Sequence, residues 1–500
     1  MDWLDLLLGV EGSNGAHPQV SGSSTWDFIR NWGFFIADWL IRLTMIPVVT
    51  QRSRPNSAMA WLLVIFFLPI FGLISYILIG EDRLPRRRLT RHARLMAKFQ
   101  ALWQRFHQHP NIVRPRVDSH TQPAVHLAEK LSHMPILGGN RMDVLSQTND
   151  FICRLIADID AAENHVNLLF YIFVADETGC RVSDALARAV ERGVTCRLLV
   201  DGVGSANFLK RDAEQVRASG VDVRPMLPVG LFRRRMARID IRNHRKLAII
   251  DGRIAYTGSQ NIVNANYGKR RLVWHDMMIR MTGPVTLELQ AVFLSDWYHE
   301  TEEVLESPGL FPDPEMTGDI PAQALPSGPS YPTENYQRVA LTAIHGARQQ
   351  VTITTPYFVP DEPLMQAIQT AVLRGVQVRL IVPRKLDQIL VGAAARAYYN
   401  DFLEVGGELH FFGEGLLHTK TLTVDDDIAL VGTANFDIRS FALNFELNVL
   451  LYQREATRQI RELQDDYAHR CRQMTFAQWH RRSRGKRLWE NMVRLMSPLL

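Results

Sequence analysis

The feature that most constrains this chain is that it repeats itself. Residues 241–261 read IRNHRKLAIIDGRIAYTGSQN, and residues 416–435 read LLHTKTLTVDDDIALVGTAN. In the first copy His244, Lys246 and Asp251 are spaced as His418, Lys420 and Asp425 are in the second. Each copy reaches a glycine seven residues past its aspartate (Gly258, Gly432) and an asparagine three residues later (Asn261, Asn435), with Ser259 or Thr433 between. The duplication extends outward. AVERGVTCRLLV (189–200) matches AVLRGVQVRLIV (371–382) at eight of twelve positions, and a strand-like run precedes each copy (165–173 and 350–359). Strand, helix, strand and then the motif strand read as one α/β unit used twice.

In a strand, alternate side chains share a face, so each copy offers an imidazole and an ammonium to one side. A lysine suits a phosphate oxygen and an asparagine amide can donate to another. Two copies brought together make an anion site that holds a nucleophile and a proton donor. This set fits phosphodiester exchange. One His attacks phosphorus, the other protonates the leaving alkoxide, and an incoming alcohol then releases the phosphohistidine. An unperturbed His titrates near neutrality, so the two can hold opposite protonation states. Lysine and asparagine supply the charge stabilisation, so no metal and no cofactor is expected.

A second constraint lies at the N-terminus. Residues 55–80 carry no charge, and 58–79 give 22 apolar-rich residues where a spanning helix needs about 20. Pro69 is a kink site. A weaker apolar run, 32–49, contains Asp38 and Arg42 four apart, placed to pair on one helix face. The expectation is a hairpin of two spans. Met1 is followed by Asp2 and Asp5, so no signal peptide is expected. Arginines 83, 86, 87, 88, 91 and 94 outweigh Arg52 and Arg54, which places the chain beyond residue 80 in the cytoplasm.

Charge is otherwise local. The formal total is +5, but 83–106 hold eight Lys/Arg and no acid, and 467–500 hold eight against Glu490 alone. Such runs suit an anionic membrane surface. Leu95, Phe99, Leu102 and Phe106 make one helical stripe, and 476–500 read as a basic amphipathic interfacial helix. Cys153, Cys180, Cys196 and Cys471 show neither metal-site nor disulfide-framework spacing, so a reducing compartment is expected. DGVGSAN (201–207) lacks the third glycine of a dinucleotide loop, and no Walker A pattern exists, so no nucleotide is expected. At 500 residues two or more domains are required. The division is a membrane hairpin at 1–82 (spans near 32–50 and 58–79) and a basic juxtamembrane linker helix at 83–135. A first catalytic half at 136–305 and a linker at 306–334, broken by seven prolines in 307–332, follow. The second half covers 335–475 and the basic C-terminal segment 476–500.

The paired HxKx4Dx6G[S/T]xN pattern resembles the phospholipase D superfamily. Nearly the whole chain is similar to its bacterial cardiolipin synthases, through the hairpin RPNSAMAWLLVIFFLPIFGLISYILIG, RNHRK, TPYFVPDE (355–362), IRSFALNFELNV (438–449) and the terminal SPLL. The resemblance implies an α/β fold of two α/β/α sandwich halves related by a pseudo-two-fold axis at the site. It implies transfer of a phosphatidyl group between two phosphatidylglycerol molecules, giving cardiolipin and glycerol at a bacterial inner membrane. Phosphatidylglycerol and anionic membrane lipids are the expected partners, with no nucleic acid; none of these features bears on oligomeric state. It further implies that His244, the nucleophile, and His418, the acid/base, are catalytic with Lys246 and Lys420, while Asp251 and Asp425 are supports within the motif. An acidic residue orients each His. Glu446 fits the second half, and Asp276 is the nearest candidate in the first. Tyr357 is a candidate for the substrate entrance. A phospholipase D-type hydrolase, another phosphatidyltransferase, a nuclease and a non-catalytic lipid-binding scaffold are the alternatives. Two intact motifs speak against the scaffold and the hairpin against the nuclease.

Overall fold

Apolar runs follow both motif lysines, and both form strands buried on each face: Lys246–Ile250 and Thr421–Val424. Such strands belong in the middle of a sheet covered on both sides. The computed structural model describes residues 25–52, 55–80, 90, 91, 94, 108–228, 240–268 and 272–497. It forms two compact units, Met1–Gly80 and Glu81–Leu500.

In the first unit, Thr25–Arg52 is one helix, and its segment Trp32–Gln51 is long and apolar enough to cross a membrane. The expected second span over 58–79 is instead two helices, Pro55–Phe67 and Pro69–Ile79. Pro69 has no N–H to continue the ladder, and Leu68 leaves the helical region at φ −133°, ψ 72°. At 13 and 11 residues these helices are about 20 and 17 Å long, each short of a hydrocarbon core of about 30 Å. Asp38 and Arg42 do pair, at 3.0 Å. Arg42 also donates to the Phe66 carbonyl (3.0 Å), in the last turn before the break, where helix carbonyls lose their own partners.

The second unit is built on strands. The first half contributes β1 (Leu137–Leu145), β2 (His165–Phe170), β3 (Thr195–Asp201), β4 (Asp222–Met226), β5 (Lys246–Ile250), β6 (Ile254–Gly258), β7 (Trp274–His275) and β8 (Met278–Thr282). Next come β9 (Ile320–Ser327), β10 (Gln350–Thr354), β11 (Phe358–Val359), β12 (Gln377–Pro383), β13 (Glu408–Phe412) and β14 (Leu416–Leu417). The series ends with β15 (Thr421–Val424), β16 (Ile428–Gly432), β17 (Phe436–Asp437), β18 (Glu446–Leu451) and β19 (Cys471–Met474).

Fifteen of these strands form one sheet, ordered β19-β13-β12-β10-β15-β16-β18-β9-β1-β8-β6-β5-β2-β3-β4. Its middle is the antiparallel pair β9–β1. Outward from there six strands on each side repeat one another in the same pairing senses, and β19 adds an antiparallel edge strand beside β13. β8, β6, β5 and β2 run antiparallel, then β3 and β4 parallel. β18, β16, β15, β10, β12 and β13 do likewise. β9 lies inside the stretch read from its prolines as linker. It still pairs on both sides, because β1 meets it over only a short, irregular register.

Successive residues of each strand serve opposite cores, as the pleat requires. Leu247 and Ile249 face a core shared by both halves, together with Val431, Leu447 and the helices Val285–Thr301 and Arg454–His469. Ala248 and Ile250 face the first half's own core, with Phe151 and Leu186. Leu422 and Val424 face the second half's, with Ile368 and Phe402. Each half is therefore a helix–sheet–helix sandwich, and the sheet is continuous between them. Leu95, Phe99, Leu102 and Phe106 lie outside the described residues, as do residues 231–239, most of the basic stretch LFRRRMARIDIR (231–242) that precedes His244.

Candidate active site

The site begins with two glycines. Gly258 ends β6 at φ +152°, and a Cβ there would lie 2.3 Å from the Met277 carbonyl oxygen. A Cβ on Gly432 would lie 2.2 Å from that of Leu447. Only glycine lets the neighbouring strand come so close. Ser259 and Thr433 follow and donate to the residue just before each contact. Ser259 Oγ reaches Asp276 Oδ1 (2.6 Å), and Thr433 Oγ1 reaches Glu446 Oε2. In return, the Met277 and Leu447 amides donate to these hydroxyls, both at 2.9 Å.

Those carboxylates hold the histidines, and each holds the His of the other half. His244 Nδ1 lies 3.0 and 3.1 Å from the Glu446 oxygens. His418 Nδ1 lies 2.7 Å from Asp276 Oδ1. The expected assignment was the reverse: Glu446 for the second half, Asp276 for the first. The reason is strand pairing between halves. β14 pairs in parallel with β7, and the His418 amide donates to the His275 carbonyl (2.8 Å), one residue before Asp276. Asn243 bridges Phe445, and the His244 amide donates to the Phe445 carbonyl (2.9 Å), one residue before Glu446. Each motif enters the sheet alongside its partner's carboxylate.

The histidines sit on the approaches to β5 and β15, not within regular strand. The lysines turn back to them: Lys246 Nζ donates to the His244 carbonyl (2.7 Å) and Lys420 Nζ to that of His418 (2.5 Å). Asp251 and Asp425 are elsewhere. They occupy the turns at the far ends of β5 and β15, Asp251 roughly 16 Å along the strand from Lys246. Both adopt positive φ, which Asp tolerates. Asp251 accepts from the amides of Glu163, Asn164 and His165, and Asp425 from those of Arg348, Gln349 and Gln350. They brace the starts of β2 and β10 and do not reach the histidines.

Both histidines, Asn261, Asn435 and Tyr357 line one cavity of about 530 Å³. Asn261 accepts from the Ile172 amide (3.0 Å), which turns its NH2 group toward the cavity. Tyr357 donates to Asp387 (2.7 Å). The sequence reading missed three aromatic walls. Tyr171 meets the His244 ring edge-on at 5.0 Å, Trp274 meets His418 at 4.7 Å, and Tyr267 stacks on Trp274 at 4.2 Å. Tyr171 comes beside the motif through the β2–β5 register, in which Phe170 pairs with Lys246. Arg242 and Arg439 also reach the cavity.

Burial dominates the electrostatics. It lowers both imidazoles, His418 to about 3, against the pull of Glu446 and Asp276. Burial also lowers Lys246 to about 8 and Lys420 to about 7. It pushes the carboxylates the other way, but the facing His and Lys outweigh it and hold Asp276 near 2 and Glu446 below its usual value. A neutral imidazole that donates Nδ1–H to a carboxylate keeps its Nε2 lone pair free. Both are thus set as bases beside two desolvated ammoniums. That combination favours an anion with an electrophilic centre. Among the described residues the one His/carboxylate cluster of metal-binding geometry, Asp118–His120–Asp427, lies at the β15–β16 turn, apart from this cavity.

Known proteins agree on the lineage of these features. A family described as "Cardiolipin synthase, PLD-like domain" matches residues 155–297 and 340–466, and one described as "Phospholipase_D-nuclease N-terminal" matches 34–81. The chain is 36% identical over 486 residues to Cardiolipin synthase A of Pectobacterium carotovorum, covering 95% of this chain and all of that one. It is 36% identical over 487 residues to the Proteus mirabilis protein of the same name, again covering 95% and 100%. Phosphatidylserine synthase of Haemophilus influenzae superposes with a TM-score of 0.55 at 15% identity, over 76% of this chain and all of that one, a likeness of fold.

Proposed function

The chain belongs to the phospholipase D-like cardiolipin synthases, and on that premise we propose how its two halves share one phosphatidyl transfer. It is a phosphatidyltransferase of phospholipids, associated with the bacterial inner membrane. The donor we assign is phosphatidylglycerol and the acceptor a second phosphatidylglycerol.

His244 Nε2 attacks the donor phosphorus, forming an N–P bond as the P–O bond to the head-group glycerol breaks. His418, as imidazolium, gives its Nε2 proton to the leaving glycerol oxygen. The second lipid's head-group hydroxyl then gives its proton to His418 Nε2. Its oxygen attacks phosphorus and the N–P bond breaks. The sum is two phosphatidylglycerol molecules to one cardiolipin and one glycerol.

The resting site holds two lysines against two carboxylates, with neutral imidazoles. An incoming phosphodiester adds one negative charge, which favours uptake of the proton that His418 needs. Lys246, Lys420, Asn261 and Asn435 meet the phosphoryl oxygens, Glu446 and Asp276 orient the imidazoles, and Ser259 and Thr433 orient the carboxylates. Arg242 and Arg439 meet the acceptor's phosphate. The aromatic walls exclude water, so the phosphohistidine survives until the acceptor arrives. The observation that carries this reading is two imidazoles on one cavity, each with Nδ1 on a carboxylate of the opposite half.

For the membrane we infer two passes, with the catalytic unit in the cytoplasm. Supporting this are the uncharged run 55–80 and the arginine excess that follows it. The two short helices together then make the return.

Phosphatidylglycerol labelled in its head-group glycerol tests the reaction. Cardiolipin with an equal amount of free glycerol is expected. Phosphatidic acid with glycerol and no cardiolipin would make the chain a hydrolase.

A further inference from the structure

The C-terminal helix Arg484–Arg494 carries an apolar stripe that is left exposed among the described residues. Leu488, Trp489 and Met492 are each more than half exposed, and Leu495 and Met496 continue the stripe past the helix end. These positions fall on one side of a helix within about 120°. The opposite side is anchored. Arg494 pairs with Asp401 (2.7 Å) and covers the Tyr398 ring, Arg482 pairs with Glu490, and Val493 is buried. The exposure therefore belongs to a docked helix.

The stripe leads to the active cavity. Ser497, directly after Met496, is buried and lines it. The helix packed against this one, Ile389–Glu404, begins the same way: Gln388 and Val391 line the cavity, while Ile389 and Leu390 between them are 67% and 43% exposed. Two helix ends thus bring exposed Ile, Leu and Met side chains to one cavity edge. Arg481, Arg484 and Lys486 are exposed at the start of the stripe. Apolar side chains bordered by cations are what an interfacial helix presents to anionic lipid.

We propose that this rim, made of 389–390 and 488–496, lies on an anionic phospholipid bilayer and delivers lipid directly from the leaflet into the cavity. The proposal rests on the reading that the substrate is a membrane lipid. It adds which face of the catalytic unit meets the leaflet, and it gives the C-terminal helix a task beyond holding the fold.

The test uses the full chain in vesicles of phosphatidylglycerol and phosphatidylcholine, with a spin label on Leu488→Cys. The exposed or partly exposed Cys153, Cys180 and Cys471 are replaced by serine, and Cys196 is buried. The label is expected to be accessible to oxygen and shielded from an aqueous nickel chelate, less so in pure phosphatidylcholine. Free access of the chelate in the anionic vesicles overturns the proposal. So does dipolar broadening between labels, which would assign the stripe to a second copy of the chain. Leu488→Asp with Ile389→Asp is expected to lower turnover of vesicle lipid roughly tenfold, with Leu488→Ile unaffected. The same variant should turn over dispersed short-chain phosphatidylglycerol at the normal rate, and an equal loss on both substrates contradicts the proposal. If the unaltered chain makes no cardiolipin from dispersed lipid, the transfer reading fails, while the label depth still decides the docking.

Discussion

The two halves of the active site share a plan and differ in three details. His244 is held by both oxygens of a glutamate, 3.0 and 3.1 Å away, while His418 is held by one oxygen of an aspartate at 2.7 Å. The His244 side chain keeps 13% exposure and that of His418 keeps 5%. A tyrosine flanks the first and a tryptophan the second. One sandwich used twice makes both positions equivalent in backbone, and the side chains around them separate their tasks. The more accessible imidazole suits attack on phosphorus. The more enclosed one, on its shorter contact, suits holding a proton that must not escape to water.

The histidines bear the largest expected effects. His244→Ala and His418→Ala should each lower turnover of phosphatidylglycerol by about 10⁴ or more. A nitrophenyl phosphodiester breaks the symmetry, because its leaving group needs no acid. On it His418→Ala should still release one equivalent of nitrophenol and His244→Ala none. Equal bursts would mean that the halves are interchangeable.

The carboxylates come next. Glu446→Gln should cost about 100-fold on either substrate, since it leaves the nucleophile unoriented. Asp276→Asn should cost as much on lipid and far less in the nitrophenol burst. The opposite pattern would restore the within-half assignment that the sequence suggests and the hydrogen bonds contradict.

The lysines set the pH dependence. Lys420 and Lys246 are lowered to about 7 and about 8 by burial, and the charged form is the one that binds phosphate. kcat/KM reports the free protein. In the free protein His418 is neutral, so the reactive complex carries one proton more, and kcat/KM should fall steadily as pH rises from mildly acid values and more steeply through 7 and 8, where the lysines lose their charge. Control by an ordinary histidine would instead make it rise through 6.5. A pH series of kcat/KM separates the two.

The contrast between what the sequence displays and what it conceals has a physical basis. The motif offsets are local, and so was the prediction that they share a site. Asp251 and Asp425 share those offsets, yet they serve a local turn, since spacing conveys register and not direction. The carboxylate exchange was hidden because it depends on how the halves dock. Asp276 lies 32 residues past His244 and Glu446 lies 28 past His418, so no common offset marks them. Pro69 was visible as a kink, but its full effect, two short helices, depended on the geometry at Leu68. β9 was obscured by its prolines.

The smallest effects concern the supports. Asp251→Asn and Asp425→Asn each weaken three amide contacts and should cost about 2–3 kcal/mol of stability, read as a lower Tm, with near-normal turnover per folded molecule. Loss of turnover at unchanged Tm would bring these aspartates back into the chemistry. Ser259→Ala and Thr433→Val should slow transfer less than tenfold, as each carboxylate keeps its His.

The most direct test of the shared site is rapid quenching of the His418→Ala variant with a nitrophenyl phosphodiester labelled on phosphorus. The expected result is an acid-labile, base-stable phosphoryl adduct that accumulates to one per chain and maps to His244. An adduct on any other residue, or product formation with none, would contradict the account.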